Sequence, residues 1–234
     1  MKIAEIRRYP VKSMLGEVLP AAAVEGRGIA GDRLWAVRDP GGKFGSGKNT
    51  RRFRRMPGLF DLRAYAAEPA PIVELPDGRR FAADDPAGHR AVSEVLARTV
   101  TLTAEGSVAH HDEGPVSLIT TAALRRLAEL TGGEPDSTDI DPLRFRANLL
   151  IDLPGSGFPE ESWPGRLLRV GPDVVLRPVR QLTRCAMIDM AQERADQRND
   201  LLKALAEHHD LAFGVFATVE RQGRITAGDV CSWV

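Results

Sequence analysis

Short alternations of apolar and polar residues recur along the chain, and few stretches carry helical spacing. Lys2–Arg8 alternates around Ile3 and Ile6, which is the pattern of a half-buried strand. Further strands are predicted at 18–24, 31–37, 59–66, 72–75, 81–82, 100–103, 116–120, 144–151, 167–170, 174–179, 213–220 and 228–234. Strands in such quick succession predict a β-rich α+β fold with long-range pairing rather than a repeated βαβ unit.

Three segments combine apolar helical spacing with residues that begin or end helices. Their predicted N-terminal caps are Asp85, with Pro86 in the first turn; Thr120 or Thr121; and Asn199 or Asp200. The second segment stops at the glycine pair 132–133, and the third stops at the histidine pair 208–209. These signals predict a few helices at the periphery of a fold made mainly of strands.

The amino-acid composition limits the classes of protein to which this chain can belong. The chain is 43% hydrophobic and 27% charged, and Lys+Arg and Asp+Glu both number 32. Such a composition excludes wholesale disorder, and the balanced charge argues against nucleic acid or an anionic membrane as partner. With no signal-peptide pattern, no long apolar run and no disulfide framework, we expect a cytoplasmic protein with reduced thiols. We also expect a monomer.

Local charge departs from this balance at residues 43–55, which hold six Lys/Arg and no acid. Gly42, Gly47 and Lys48 nearly match a phosphate-binding P-loop, but Asn49 replaces the magnesium-binding Ser/Thr, so we reject that interpretation. Two alternatives stay open, a solvated basic loop or a positive wall beside a phosphate-bearing ligand. The sequence does not decide which of these cations contact a ligand: Lys48, Arg51, Arg52, Arg54 or Arg55.

Cys185 is the candidate for reactive chemistry. It follows Thr183 and Arg184 just beyond the predicted strand 174–179, and a neighbouring cation favours the thiolate that binds metals. The alternative is a small buried hydrophobe. Cys231 alternates with its neighbours in the last strand, and we interpret it as structural.

Several polar residues stand beside strand ends. Lys12 and Ser13 follow the strand that Pro10 ends, and Arg33 stands at the entrance of another strand. Arg144, Arg146 and Asn148 are spaced by two, which predicts one shared strand face, either exposed at an edge or gathered around a ligand. The run His110-His111-Asp112-Glu113 lacks further ligands at zinc-like spacing, so we interpret it as a polar loop.

Seven motifs together resemble one family. They are YPVKS (9–13), GDRLW (31–35), RFRANLL (144–150), SW…LLRVG (162–171), TRC (183–185), FGVF (213–216) and ITAGDV (225–230). Their order is that of MOSC proteins, the molybdenum-cofactor-sulfurase C-terminal domain family, with its N-terminal β-barrel domain. Within this family the chain most resembles the mitochondrial amidoxime-reducing component and its bacterial relatives.

The resemblance implies a MOSC β-barrel intertwined with a smaller N-terminal β-barrel-like domain, with domains at 1–103 and 104–234. It also implies a molybdenum–molybdopterin cofactor, with Cys185 as the catalytic metal ligand. The residues that would hold the pterin and its phosphate are Lys12, Ser13, Arg33, Arg146, Asn148, Thr183 and Arg184. An association with pyridoxal phosphate in the wider superfamily is a further expectation.

The implied activity is reduction of N-hydroxylated compounds with electrons from a separate ferredoxin or flavoprotein. Sulfur transfer through a persulfide on Cys185 and non-catalytic carriage of the cofactor are the alternatives. The chain departs from the amidoxime-reducing pattern after the cysteine, where residues 186–190 are more apolar, and at Phe216, which replaces a tyrosine. Both changes lie where substrate would approach, so the resemblance does not extend to the substrate.

Overall fold

A computed structural model describes residues 1–111, 113–134 and 139–234. The strands are β1 Lys2–Arg8, β2 Glu17–Leu19, β3 Ala21–Glu25, β4 Gly28–Ile29, β5 Trp35–Arg38, β6 Phe44–Ser46, β7 Phe53–Arg55, β8 Arg63–Tyr65, β9 Ile72–Glu74, β10 Arg80–Ala82, β11 Thr101–Ala104, β12 Val116–Thr120, β13 Leu149–Asp152, β14 Leu168–Val170, β15 Val174–Thr183, β16 Ala212–Arg221, β17 Gly223–Thr226 and β18 Cys231–Trp233. The helices are α1 Pro86–Val95, α2 Thr121–Leu130 and α3 Leu201–His208, and short 3-10 helices lie at Pro57–Asp61, Pro142–Phe145, Pro159–Ser162 and Ala186–Ile188. The predicted β-rich fold with few helices is confirmed.

The largest sheet joins the two ends of the chain. Its strand order is β18-β14-β15-β16-β12-β13-β1-β2, so the first two strands complete a sheet whose other members follow residue 115. Lys2 pairs with Asp152 and Ile6 with Leu149 in antiparallel register, whereas β12 and β13 are parallel. The N-terminal strands are therefore part of the C-terminal barrel, and the predicted intertwining of the two parts is confirmed.

A smaller β-rich part covers most of the N-terminal half. It contains the sheets β11-β5-β6-β7 and β10-β9-β8, and its core includes the fully buried side chains of Val11, Met14, Leu59 and Leu62. α1 packs beside β10 and β11 and begins as predicted, because the Asp85 carboxylate accepts the N–H of Ala87. Another sheet, β17-β3-β4, ties β17 from the C-terminal part of the chain to the N-terminal half.

Helices α2 and α3 pack on each other and on the large sheet. Thr120 caps α2 as predicted, by accepting the N–H of Ala123. The cap of α3 differs from the prediction. Asp200 stands at its N-cap position but makes no cap hydrogen bond; the Asp189 carboxylate accepts the N–H groups of Leu201 and Leu202 instead. The N-terminus of this helix is therefore capped by a side chain that lies 12 residues before Leu201 in the chain.

Some predicted strands are only partly extended. The predicted strand 59–66 begins in the 3-10 helix Pro57–Asp61 and keeps only β8 as a strand. The predicted strand 144–151 is shortened to β13, because Pro142 and the cap from Asp141 to the N–H of Leu143 favour a 3-10 helix before it. The chain then turns through Arg146, whose φ is 51°, so Arg144, Arg146 and Asn148 do not share a strand face. Within the basic segment 43–55, β6 and β7 pair in parallel, so Arg54 and Arg55 lie on a strand.

None of the helices in the described ranges is long and apolar enough to cross a membrane.

Candidate functional site

A pocket of about 130 Å³ lies where the end of β15 faces the residues that follow β1. All the candidate site residues line it: Lys12, Ser13, Arg33, Arg146, Asn148, Thr183, Arg184 and Cys185. Of the five basic-segment cations left open by the sequence, Lys48 alone is part of this lining. The fold therefore brings together residues from both halves of the chain.

The N-terminal wall is built by the turn after β1. Lys12 is 2% exposed, its N–H donates to the Trp35 carbonyl (2.8 Å), and its Nζ donates to the His110 carbonyl (2.8 Å). The ammonium also lies 5.2 Å from the centre of the Phe53 ring. Burying an ammonium requires compensation, and here the carbonyl and the ring supply part of it while the side chain stays at the pocket.

The buried ring of Tyr9 organises two of the pocket arginines. The guanidinium carbons of Arg33 and Arg146 lie 4.8 and 4.3 Å from its centre, within the range of cation–π attraction. Arg33 also pairs with the fully buried Asp32, which in turn accepts the N–H of Tyr9 at 2.8 Å. Burial raises the pKa of Tyr9, so its ring packs as a neutral phenol.

Three of the pocket residues have left-handed backbone conformations. The φ angles are 66° at Ser13, 52° at Arg33 and 51° at Arg146, in a region that costs a side-chain-bearing residue about 1–3 kcal/mol. Arg33 is held there by its N–H bond to the Tyr9 carbonyl, at 2.7 Å. Such conformations persist where the surroundings over-determine them and are often found at functional sites.

The opposite wall is the turn that carries Arg184 and Cys185. Arg184 donates from Nε to the Phe213 carbonyl (2.8 Å) and from Nη1 to the Phe145 carbonyl (3.0 Å). Burial lowers its pKa to about 10, so it remains a cation at neutral pH. Its Nη2 is buried without a hydrogen-bond partner in the described parts of the chain. Cys185 is partly exposed at the start of the 3-10 helix Ala186–Ile188.

Charge in the pocket is strongly one-sided. The cationic side chains in its lining are Lys12, Arg33, Lys48, Arg144, Arg146 and Arg184. The described lining holds one carboxylate, that of Glu113, which pairs with Arg180 at the rim. A group of cations around one partly exposed thiol suits a ligand with several negative charges.

Asn148 has less freedom to bind a ligand than its place in the pocket implies. Its Oδ1 accepts both the N–H (3.1 Å) and the hydroxyl (2.9 Å) of Ser117, and its Nδ2 donates to the Arg7 carbonyl at 3.3 Å. The side chain therefore ties β1 to β12, and one Nδ2 hydrogen is left over for a ligand. Thr183 is exposed at the rim.

Sequence reasoning missed His111 as a pocket residue. It lines the pocket, and its Nε2 lies 3.2 Å from Nη1 of Arg27, a residue that no motif singled out. In the same run, Asp112 lies outside the described residues. Within the described ranges no group of three His, Cys, Asp or Glu residues could hold a metal ion. His110 is fully buried and packs edge-on against Phe44, so this run is more than a polar loop.

Comparisons with known proteins agree with the architecture. The family model of the MOSC domain matches residues 105–232, and that of the MOSC N-terminal beta barrel domain matches residues 1–111. A search of curated proteins found no match.

Solved structures with related folds include the YuaD protein from Bacillus subtilis. This chain is 16% identical to it with a TM-score of 0.52, and the match covers 98% of this chain and 93% of YuaD. YiiM from Geobacillus stearothermophilus is also 16% identical, with a TM-score of 0.38 and coverage of 51% and 54%. The YuaD likeness supports the fold, and the two family models go further: the chain belongs to the MOSC family and carries its N-terminal β-barrel domain.

Proposed function

We propose that this protein is a molybdenum-cofactor-binding oxidoreductase that reduces N-hydroxylated compounds. The observation that carries the proposal is the partly exposed Cys185 thiol in a pocket lined by six Lys and Arg side chains. Molybdopterin combines a phosphate with sulfur ligands around the metal, and such a group needs cations at one end and tolerates a thiolate at the other.

The chemistry of the lining residues fits this cofactor. The phosphate suits the buried Lys12 and the Arg33 and Arg146 pair, because guanidinium groups bind phosphate in bidentate fashion. Nη2 of Arg184 is buried with no hydrogen-bond partner among the described residues, which calls for an explanation, and an acceptor on the ligand would supply one. Cys185 would be the metal ligand.

When bound, the cofactor would supply the two-electron chemistry at molybdenum. Reduction of an N-hydroxyl group consumes two electrons and two protons and yields the amine and water, so a separate ferredoxin or flavoprotein would deliver the electrons. The protein's own part is to orient the cofactor and shape the approach to Cys185. A monomeric state and an association with pyridoxal phosphate remain predictions with no structural observation of their own.

The approach to Cys185 is flanked by apolar groups. Met187 and Phe216 both line the pocket, and the Phe216 ring packs so closely on Gly114 that a Cβ there would lie 2.2 Å from it. Arg180 lies 5.0 Å from the centre of the same ring. Apolar walls around a polar reaction centre favour substrates whose N-hydroxyl group is attached to a flat or apolar body.

The test is the molybdenum content of protein made in a host that synthesises the cofactor. We expect near-stoichiometric metal in the wild type and in Cys231→Ser, and loss of metal in Cys185→Ser. The loaded protein with a strong chemical reductant should then convert an N-hydroxy compound to the amine. Equal molybdenum in all three proteins would refute Cys185 as ligand, and metal binding without any conversion would refute the reductase activity.

Sulfur transfer is the second candidate, and the partial exposure of Cys185 favours it. An exposed thiol beside a cation can carry a persulfide. Mass spectrometry after treatment with a polysulfide distinguishes the two functions. The Cys185 thiolate would take one zero-valent sulfur atom from it and the shortened polysulfide would leave, so a persulfide on Cys185 in metal-free protein supports transfer, whereas a permanently metal-bound thiol supports the reductase. The carrier alternative predicts metal binding without turnover and release to an apo-enzyme.

A further inference from the structure

Behind the pocket wall, Arg27 makes an unusually complete set of contacts. Its Nε and Nη2 donate to the two oxygens of Glu105 at 2.7 and 2.5 Å. Its Nη1 donates to the Asp32 carbonyl (2.5 Å), and Nη2 also reaches the Arg33 carbonyl (3.2 Å). Such a bidentate ion pair fixes the plane of the guanidinium. The fixed plane of the guanidinium in turn holds in place the other groups that Arg27 contacts.

Some of these other contacts of Arg27 are made to residues that line the pocket. The Arg33 carbonyl belongs to a residue with a left-handed backbone whose side chain lines the cavity. Nη1 lies 3.2 Å from His111 Nε2. Glu105 Oε2 also accepts the N–H of His110 at 2.7 Å, and the carbonyl of that residue holds Lys12 Nζ. One ion pair therefore supports three pocket groups: Arg33, His111 and Lys12.

His111 differs from the other basic groups of the pocket because it is neutral. Burial, followed by the charges of Arg27 and Arg33, lowers its pKa to about 4. Since Arg27 has donors only, His111 Nε2 must accept from it, which assigns the ring proton to Nδ1. The ring therefore carries an uncharged N–H group at Nδ1, and it lines a pocket whose other donors are mainly cations.

We propose that Arg27, clamped by Glu105, is the positioning residue of this pocket and that His111, held by Arg27, contacts the bound ligand as a neutral donor to a phosphate-type oxyanion. The proposal rests on the proposed function for the nature of the ligand. It adds His111 as a contact of the ligand. It also adds Arg27 and Glu105, which are 78 positions apart in the chain and act through the groups they hold in place.

The test uses sulfate, a phosphate analogue whose charge is constant between pH 5 and 8, titrated into the metal-free full-length protein by calorimetry. Arg27→Lys keeps the positive charge but removes the planar guanidinium that pairs with both oxygens of Glu105. We expect it to weaken sulfate binding about tenfold, the equivalent of one well-placed hydrogen bond. Glu105→Gln should weaken it less. The matched control is Arg125→Lys, because Arg125 also donates to backbone carbonyls, those of Leu153 and Gly155, but neither of these residues lines the pocket.

A local readout separates positioning from general loosening. The wild-type His111 ring, followed by NMR of its Cε1–H group, should stay neutral down to about pH 4. In Arg27→Gln the lost cation should move its pKa upward, while Arg125→Lys should leave it unchanged. Sulfate binding to Arg27→Lys as tight as to the wild type, or an unchanged His111 pKa in Arg27→Gln, would overturn the inference alone. No sulfate binding by the wild type would overturn both it and the anionic ligand of the proposed function.

Discussion

Arg33 donates from Nη2 to the backbone carbonyl of Arg146 at 2.9 Å, and both guanidinium groups stack on the ring of Tyr9. One of these arginines comes from the N-terminal half and the other from the C-terminal half. Two cations that share one ring repel each other, and the buried Asp32 beside Arg33 offsets part of that repulsion. An anionic ligand would add to this compensation, so ligand binding should stabilise the junction between the two halves.

The ring of Tyr9, rather than its hydroxyl, should matter for stability. The hydroxyl is buried without a hydrogen-bond partner in the described residues, so Tyr9→Phe removes an unsatisfied group and should change the free energy of unfolding by no more than about 1 kcal/mol. Tyr9→Leu removes the surface on which both arginines stack and should cost about 2–4 kcal/mol. Urea unfolding of the two variants measures this difference. Equal losses in both would mean that the hydroxyl has a partner.

Gly114 should be intolerant of a side chain because of Phe216. A Cβ at Gly114 would lie 2.2 Å from the ring, so Gly114→Ala must displace Phe216 and should cost about 1–3 kcal/mol by overpacking. Gly106→Ala is the control, since nothing lies within 4 Å of its Cβ position, and it should remain within about 0.5 kcal/mol of the wild type. Thermal unfolding of the two variants and the wild type measures this difference in stability. A fully stable Gly114→Ala protein would contradict the close packing described here.

Glu160 should make the protein less stable as pH rises. The carboxyl is 1% exposed, and burial raises its pKa from 4.5 to about 7. The folded state therefore keeps a proton that the unfolded state releases above pH 4.5, and this contribution is lost as pH rises through 7. At about 1.4 kcal/mol per pKa unit, the loss approaches about 3 kcal/mol.

The experiment compares Glu160→Gln with the wild type by urea unfolding at pH 5 and pH 8. The amide does not titrate, so the variant should gain stability relative to the wild type at pH 8. His110 and His111, whose pKa values burial lowers to about 4, destabilise the folded state as pH falls below 6.5, but they do so in both proteins. Glu25→Gln, at an exposed position, should show no such difference. A pH-independent difference for Glu160→Gln would refute the assignment.

The two thiols should differ in reactivity. Cys231 is 3% exposed, and burial raises its pKa to about 11, whereas Cys185 is partly exposed in the pocket. Because the thiolate is the reactive form, Ellman's reagent at pH 8 should titrate one thiol in the folded protein and two in guanidinium chloride. Cys185→Ser should abolish the native reaction and Cys231→Ser should preserve it. Comparable native rates at both sites would contradict the structure.

Much of the fold could be read from local sequence. Alternation identified β1, and short-range caps identified the starts of α1 and α2, because the interacting atoms lie within three residues of each other. The start of α3 was predicted at the right place, since Asp200 stands at its N-cap position, but the side chain that caps the helix is Asp189, 12 residues before Leu201, which no local pattern indicates. Strand prediction likewise failed after Pro142, where a capped 3-10 helix is more favourable than the extended conformation.

The residues predicted for the site line one pocket, but part of the reason given for their meeting is wrong. Arg144, Arg146 and Asn148 do meet at the pocket, yet a left-handed turn at Arg146 brings them there and not the period of a strand. The resemblance to the MOSC family supplied the remaining residues. It could not supply Arg27 and Glu105, because their pairing across 78 positions exists only after the N-terminal half has folded against the loop before β12.

The pairing of β1 with β13 has a consequence for when, during folding, the chain can first bind a ligand in its pocket. Lys2 cannot find Asp152 until most of the chain has left the ribosome, and pairing across such a separation is intrinsically slow. Arg33 and Arg146 meet across the same junction, so the complete pocket exists only in the fully folded chain. A ligand that binds there stabilises the native state alone, and its uptake would mark the end of maturation of the protein.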